Sequence, residues 1–220
     1  MTFFEIVTLP RGARHRFARR APKEKLIVCQ GQALIAIDGT EVAATAGSNL
    51  DLPSGAEGFA VREVREDIVA VRLCGDWGDE TGGSGLFAVE TSATPADRGD
   101  PVPYPKTTNF DSHYHDCDEY WVVWVGRGEA VSEGQMYDVV PGDCVATAMG
   151  HHHDVPRVSE PLHGVYFETT LRGAKRRGHL WEHTHGPAQP SNGPHPNENP
   201  HPNPSPIAMG EGHVPPRPPQ

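Results

Sequence analysis

The sequence predicts an all-β fold of the sandwich or barrel class. Short apolar runs, such as LIVCQGQALIAI (residues 26–37) and YWVVWVG (residues 120–126), are bounded by glycine, proline and aspartate. Runs of this length with turn residues between them are typical of strands joined by tight connections. No stretch carries the apolar periodicity of a long amphipathic helix. Many short strands with regular turn signals favour a sandwich or a barrel.

The chain also repeats itself at a fixed offset. Glu24 and Glu119 are 95 residues apart, and four pairs of glycines have the same spacing: Gly31 and Gly126, Gly39 and Gly134, Gly47 and Gly142, Gly55 and Gly150. Glycines recur where a backbone needs a positive φ or a close approach, so the repeat predicts two copies of one β unit. We assign residues 1–75 to the first copy and 106–186 to the second. Residues 76–105, rich in Gly, Pro and Asp, are predicted to be a mostly irregular linker.

The end of the sequence has a different composition. Residues 187–220 are dominated by Pro, Asn, Gly and His. Such a segment cannot bury a core and is predicted to be a disordered, solvated tail, with loose metal scavenging by its histidines as the alternative. Just before it, His183 and His185 form an HxH pair that we predict to be a surface strand end or the start of the tail, rather than a cover over a pocket.

Composition and charge exclude several classes of function. The formal net charge is −10, which disfavours nucleic-acid binding because phosphates need a basic face. No apolar stretch reaches the roughly 20 residues that a membrane helix needs. At the N-terminus the charges follow the apolar patch, the wrong order for a signal peptide, so we expect a cytoplasmic protein without a membrane partner. The four cysteines suggest no disulfide framework, and we expect buried free thiols.

A set of candidate metal ligands lies in the second copy. His113 and His115 are two residues apart, so on a strand both imidazoles share one face, and Glu119 follows at an even spacing. Two nitrogens and a carboxylate on one face can hold Mn, Fe, Co, Ni or Zn and leave positions open for substrate. Cys117 interrupts this spacing and is predicted not to be a ligand. A fourth ligand would come from the segment PGDCVATAMGHHHDVP, which offers His151, His152 and His153.

These motifs resemble those of the cupin superfamily. The first cupin motif, G(x)5HxH(x)3–4E(x)6G, corresponds to HYHDCDEYWVVWVG, with Thr107 in place of the opening glycine. The second, G(x)5PxG(x)2H(x)3N, corresponds to GDCVATAMGHHH, with Ala148 in place of the proline and without the final asparagine. The resemblance covers most of residues 1–175. It implies two tandem double-stranded β-helices (jelly-roll barrels), a homodimer, and one divalent metal ion held by His113, His115, Glu119 and His153.

The first copy keeps the turns of the second but not its ligands. At the same offset, three of the four ligand positions hold Ala18, Arg20 and Gly58, and only Glu24 survives. We therefore expect a cupin copy that binds no metal and serves in packing, with dimerisation or a lid over the pocket as the alternatives. Because a lone buried carboxylate is costly, we expect Arg20 to pair with Glu24.

Seven further residues are predicted to line the pocket, from strand alternation and from proximity to the fourth ligand, and one of them is Val125. Four are predicted to bind substrate, namely Asn109, Trp121, Val123 and Thr147. Two are candidates for the catalytic base, namely His151 and Asp111. A polar rim over an apolar floor suits a small polar molecule with several hydroxyl groups.

The same fold supports many reactions, so the reaction has to be inferred from the residues that line the pocket. We expect a metal-dependent enzyme that acts on a small polyhydroxylated carbonyl compound, a sugar or a hydroxy-acid, by isomerisation, epimerisation or elimination. An Fe(II)-dependent dioxygenase and a non-catalytic sugar or metal sensor are the alternatives. Oxygen uptake would favour the former, and ligand binding without turnover would favour the latter.

Overall fold

The computed structural model describes residues 1–95, 99–172, 178–182 and 189–191, and the regular secondary structure in these ranges consists of β-strands. One sheet contains β1 (Phe3–Leu9), β2 (His15–Ala18), β3 (Lys23–Ile37), β4 (Thr40–Thr45), β5 (Asn49–Asp51) and β6 (Gly58–Gly75). Another contains β7 (Thr81–Val89), β8 (Glu119–Ser132), β9 (Gln135–Val139), β10 (Cys144–Thr147) and β11 (His153–Thr170). A small third sheet pairs β12 (Trp181–Glu182) with β13 (Gln189–Pro190).

Some sequence predictions lie outside these residues. They concern His183, His185 and nearly all of the tail. Within the described ranges, no helix has the length and apolar character that crossing a bilayer requires.

The first sheet is organised around two long antiparallel strands, β3 and β6. Its order is β1-β6-β3-β4, with β2 paired to β6 and β5 paired to β3. Register shifts near Gln30 and Gln32 interrupt the β3–β6 pairing, and such bulges bend the strands. Gly31 lies at this bend with a φ of 80°, and a Cβ there would lie 2.1 Å from the carbonyl oxygen of Asp67. Glycine is the residue that fits this position.

The second sheet has a similar pairing scheme around β8 and β11. Its order is β10-β8-β11-β7, with β9 paired to β8. The bend occurs at Gly126, whose φ is 85° and whose added Cβ would lie 1.9 Å from the carbonyl oxygen of Pro161. In the described pairings neither sheet closes into a ring. The prediction of closed barrels is therefore wrong, and both sheets are open. The curvature comes from the bent long strands, while the edge strands of each sheet remain unjoined.

Apolar clusters fill the interior and join the two sheets into one β-sandwich. One cluster lies within each sheet. Another connects the sheets and includes Ile27, Val71, Val122 and Phe167. Tyr120 and Trp124 pack against it. Burial of each large apolar side chain contributes roughly 1.5–3 kcal/mol, so this cluster holds the sheets together.

The segment predicted to be a mostly irregular linker contains one strand, β7. It lies within residues 76–105 and pairs antiparallel with β11. Its glycines suggested a loop, but they make room for large neighbours instead. A Cβ at Gly82 would lie 2.6 Å from the Cβ of Glu168, and one at Gly85 would lie 3.1 Å from the ring of Tyr166.

Glu24 in the first sheet pairs with Arg72 rather than with Arg20. Both Glu24 and Arg72 are buried, and the Arg72 guanidinium donates from Nε and Nη2 to Glu24 Oε2 at 3.0 and 2.6 Å. Its Nη1 donates to Glu5 Oε1 at 3.0 Å. Arg20 donates only its backbone N–H to Glu24, and its guanidinium lies 4.2 Å from the ring centre of Phe3. The register of β3 on β6 places Arg72 diagonally opposite Glu24 on the same face.

Candidate metal centre

The four side chains that the cupin motifs single out meet in the second sheet. One ligand atom from each of them lies within 4.8 Å of the others, and all four residues are buried: His113, His115, Glu119 and His153. His153 begins β11 and lies opposite Ser132, at the far end of β8 from Glu119. The bend at Gly126 folds β8 so that its two ends come together at this cluster.

The ligand segment is not the continuous strand that the alternation argument assumed. His113 forms an isolated antiparallel bridge with His153, and bends at residues 116–117 separate His115 from the start of β8. The backbone N–H of Gly150 donates to the carbonyl oxygen of His115 at 2.8 Å. Glu119 therefore reaches the cluster through a turn rather than along a straight strand.

The ligand atoms face one another at the separations of neighbouring ligands around one ion. His113 Nε2 lies 3.1 Å from His115 Nε2 and 3.2 Å from His153 Nε2. Glu119 Oε2 lies 3.0 Å from His115 Nε2 and 2.8 Å from His153 Nε2. Two ligands at right angles around an ion, with bonds of about 2.1 Å, are about 3.0 Å apart.

Contacts on the outer side of the imidazoles orient them. His113 Nδ1 donates to the carbonyl oxygen of Asp111 at 2.9 Å. His115 Nδ1 lies 3.9 Å from Glu168 Oε1. Because carbonyl and carboxylate oxygens only accept, these neighbours favour the proton on Nδ1 and leave the Nε2 lone pair facing the cluster.

Glu119 is held by one oxygen and presents the other. Trp121 Nε1 donates to Glu119 Oε1 at 2.9 Å. Oε2 is buried and accepts no hydrogen bond from the described residues. A buried carboxylate oxygen without a hydrogen bond is costly, and a bound cation would satisfy it.

The ionisation states suit a metal ion as well. Burial, with the neighbouring His153 and His115, lowers the pKa of His113 to about 2. Burial alone would raise the pKa of Glu119, but the imidazoles of His115 and His153 hold it well below its usual range. Imidazole nitrogens with one carboxylate are a donor set for Mn, Fe, Co, Ni and Zn. The residues therefore fit the divalent ion that the motifs imply.

Trp121 should control metal affinity through its indole N–H. Trp121→Phe keeps an aromatic ring but frees Glu119 Oε1, and we expect metal affinity to fall by about 10–100-fold. Competition with a fluorescent chelator measures it. Trp124→Phe is the matched control, because the Trp124 indole N–H is buried and makes no hydrogen bond within the described residues. Equal affinities in the two variants would contradict this role.

Asp111 and His179 lie at the rim of the cluster. Asp111 Oδ1 is 3.6 Å from His113 Nδ1, and Asp111 Oδ2 is 3.6 Å from His179 Nε2. His179 Nδ1 is 3.6 Å from Asp100 Oδ1, and the ring centres of His179 and His113 are 6.0 Å apart. Asp111 and His179 thus lie between the buried Asp100 and the candidate ligand His113, with separations longer than a hydrogen bond.

Asp100 anchors the chain that carries His179. Its carboxylate accepts hydrogen bonds from His152 Nε2 at 2.6 Å and from the backbone N–H groups of Leu180 and Trp181 at 2.7 and 2.9 Å. Burial alone would raise the pKa of Asp100, but these hydrogen bonds and His179 lower it well below its usual range. The carboxylate therefore stays ionised and continues to accept the hydrogen bonds from Leu180 and Trp181.

Residues 178–182 also bind directly to the ligand segment. Tyr114 and Gly178 exchange two backbone hydrogen bonds, of 3.2 and 2.8 Å. A Cβ at Gly178 would lie 2.2 Å from the Tyr114 ring, so glycine is needed there. Sequence reasoning missed Asp100 and His179, because neither lies in a motif or on a predicted strand.

The residues predicted to bind substrate are not equally placed. Trp121 and Val123 are buried in the apolar cluster of the second sheet. Thr147 is buried, with its Oγ1 2.7 Å from Ser132 Oγ. Asn109 is exposed. Trp121 contacts the cluster through Glu119 and His153, and Thr147 lies opposite Glu119 in the β8–β10 pairing. Val125 was also predicted to face inward but is 41% exposed, because it lies beside the bend at Gly126, where a register shift interrupts the alternation.

Two other predictions concern the neighbours of the ligands. His151 is half-buried, and its carbonyl oxygen lies 3.4 Å from His153 Nδ1, so its contact with the cluster runs through the backbone. Cys117 is buried and lies outside the cluster. Burial raises the pKa of its thiol, which therefore stays protonated.

Solved structures with a similar fold identify the fold class of the chain. No family model matches the chain. Oxalate decarboxylase from Bacillus subtilis is similar, with a TM-score of 0.54 and 12% identity, over 80% of this chain and 71% of that one. AerE from Microcystis aeruginosa has a TM-score of 0.52 and 9% identity, over 76% of this chain and 86% of that one. At these identities the likeness concerns the fold alone, which is that of cupins.

One curated relative is much nearer in sequence. The uncharacterized protein y4oW from Sinorhizobium fredii is 49% identical over 170 residues, which are 76% of this chain and 78% of that protein. An identity this high over most of both chains marks common descent. The chain therefore belongs to the family of y4oW.

Proposed function

We propose that this protein is a metal-dependent cupin enzyme acting on a small polyhydroxylated carbonyl compound, a sugar or a hydroxy-acid, by isomerisation, epimerisation or elimination. One observation carries the proposal: a buried cluster of three histidines and a glutamate has a carboxylate and an imidazole, Asp111 and His179, at its rim. The cluster alone would suit a sensor. The rim adds groups that can move protons on a molecule held beside it.

Each part of the site has a role in this reaction. When bound, a divalent ion supplies Lewis-acid polarisation of a carbonyl oxygen. Asp111 accepts the proton from the carbon next to that carbonyl. His179, between Asp111 and Asp100, donates a hydrogen bond to a substrate hydroxyl and returns a proton. Trp121 and Val123 form the apolar wall that limits the access of water.

The alternative is an Fe(II)-dependent dioxygenase, and one feature favours it. Aromatic rings line one side of the cluster: the ring centre of Phe110 is 5.3 Å from that of Trp121 and 6.0 Å from that of His113, and Phe87 lies 5.6 Å from Trp121. Such a wall suits an aromatic substrate. The carboxylate and imidazole at the rim favour the hydroxyl-rich substrate over this one.

Hydrogen exchange tests the proposed reaction. Metal-loaded protein in D2O, given a panel of aldoses, ketoses and hydroxy-acids, should place deuterium on the carbon next to the carbonyl or carboxyl group of its substrate. Asp111→Asn should lower the exchange rate by about 10²–10⁴-fold with the metal content unchanged. Asp138→Asn, on the exposed strand β9, is the matched control and should exchange like the wild type.

Other results of this experiment would favour a different catalytic base or a different function. Full exchange in Asp111→Asn would remove Asp111 as the base and leave His151, whose Ala variant is measured in parallel. No exchange, with oxygen uptake by the iron-loaded protein, would replace the proposal by the dioxygenase. Saturable sugar binding without either reaction would indicate a sensor.

We also infer that the two sheets are tandem cupin copies, of which only the second binds metal. The similar strand pairing and the glycines at the 95-residue offset support this. In the first copy the guanidinium of Arg72 meets Glu24, the counterpart of Glu119, where the second copy presents its carboxylate to an ion.

A further inference from the structure

Two arginines of the first sheet line a cavity without a carboxylate partner. Strands β2 and β6 pair His15 with Val61, so Arg14 and Arg62 are neighbours across the two strands. Both line a cavity of about 870 Å³. Among the described residues, neither guanidinium takes part in an ion pair or a hydrogen bond.

This arrangement places two positive charges side by side at an open cavity, where an anion can meet both. Like charges on neighbouring strand positions repel each other. The chain has ten more acidic than basic side chains, so partners are abundant. Arg16 uses one of them, Glu57, at 2.5 Å. Asp38 also lines the cavity, yet neither Arg14 nor Arg62 pairs with it.

Two residues that line the cavity correspond in sequence to residues at or near the cluster of the second copy. At the 95-residue offset, Arg16 corresponds to Asp111, and Gly58, which also lines the cavity, corresponds to His153. A Cβ at Gly58 would lie 1.8 Å from the carbonyl oxygen of Phe17, so no side chain can fill this position. At this one position, an acidic residue near the cluster in the second copy corresponds to an arginine beside an open space in the first.

We propose that this cavity binds a small organic oxyanion, a molecule with a phosphate or carboxylate group, between Arg14 and Arg62. Guanidinium groups recognise both groups through paired, charge-assisted hydrogen bonds. His15 and Arg16 lie beside them and add hydrogen-bond donors. The volume is within the range of small-molecule sites, so there is room for an organic molecule behind the anionic group. The site does not depend on the metal cluster or on the function proposed for it.

Calorimetric titration with sodium phosphate and with sodium malonate, at constant ionic strength, tests the site. At least one of them should bind saturably with one site per chain. The Arg14→Gln/Arg62→Gln double variant should lose at least about tenfold in affinity, because two charge-assisted contacts are removed. Arg65→Gln is the matched control: Arg65 is exposed on the same strand, pairs with Glu63 and does not line the cavity. It should bind like the wild type.

The comparison of the two anions identifies the recognised group. Tighter binding of phosphate would indicate a phosphorylated ligand, and tighter binding of malonate a carboxylate. Failure of both to bind saturably in the millimolar range would overturn the proposal, as would an equal loss of affinity in Arg65→Gln. Because the exchanged arginines are exposed, the variants should keep the circular dichroism spectrum and metal content of the wild type. A failed metal site would leave these titrations unchanged.

Discussion

Replacing His113 and His115 together by alanine should remove the metal from the purified protein. The wild type should carry about one divalent ion per chain, since one cluster of three imidazoles and a carboxylate is available. The double variant should carry almost none, because half of the ligands are gone and those that remain bind weakly. Inductively coupled plasma mass spectrometry on dialysed protein measures the content and identifies the element.

A matched control separates this site from other histidines. His163→Ala removes a half-buried imidazole that lies near Trp124, away from the cluster, and should keep the full metal content. Full metal content in the His113→Ala/His115→Ala variant would locate the ion elsewhere, for instance on the histidines of residues 187–220. Two ions per chain would indicate a second site, either in the first copy or on the histidines of residues 187–220.

Replacing Arg72 by methionine should produce the largest loss of stability in the first sheet. The change leaves Glu24 as a buried carboxylate with backbone N–H donors but no cation. Removal of one partner from a buried ion pair costs about 3–5 kcal/mol in the free energy of unfolding. Chemical denaturation followed by circular dichroism measures the loss.

Two further variants test the cause of that loss. Arg65→Met removes an exposed arginine of the same strand and should change the free energy of unfolding by less than about 1 kcal/mol. The double change Glu24→Leu/Arg72→Met removes both charges and should recover most of the stability. If the double variant is as unstable as Arg72→Met, packing of the arginine stem rather than the unpaired carboxylate is responsible.

Local spacing was enough to predict most of the metal cluster. His113 and His115 needed only the two-residue alternation of a strand. The residues alone left three candidates for the fourth ligand, and the structure shows what separates them. His153 begins β11 opposite His113 and turns into the cluster, while His152 turns away and binds Asp100.

Contacts set by register or by distant segments could not be predicted. Arg72 meets Glu24 because of the β3–β6 register, which a bulge near Gly31 shifts. Asp100 binds the backbone of Leu180, 80 residues away, and no local pattern marks either residue. Strand β7 was missed because a glycine can either start a turn or make room for a large neighbour, and the neighbour is known only from the fold.

The hydrogen bond from Trp121 to Glu119 also means that metal binding can be detected by tryptophan fluorescence. The indole is bonded to one candidate ligand, and its centre lies 5.2 Å from the imidazole centre of another, His153. An open-shell ion in the cluster would quench the emission of this indole far more than that of the other three among the four tryptophans of the chain. Subtraction of the Trp121→Phe spectrum isolates the signal. Metal loading can then be followed in real time by intrinsic fluorescence, without an added dye.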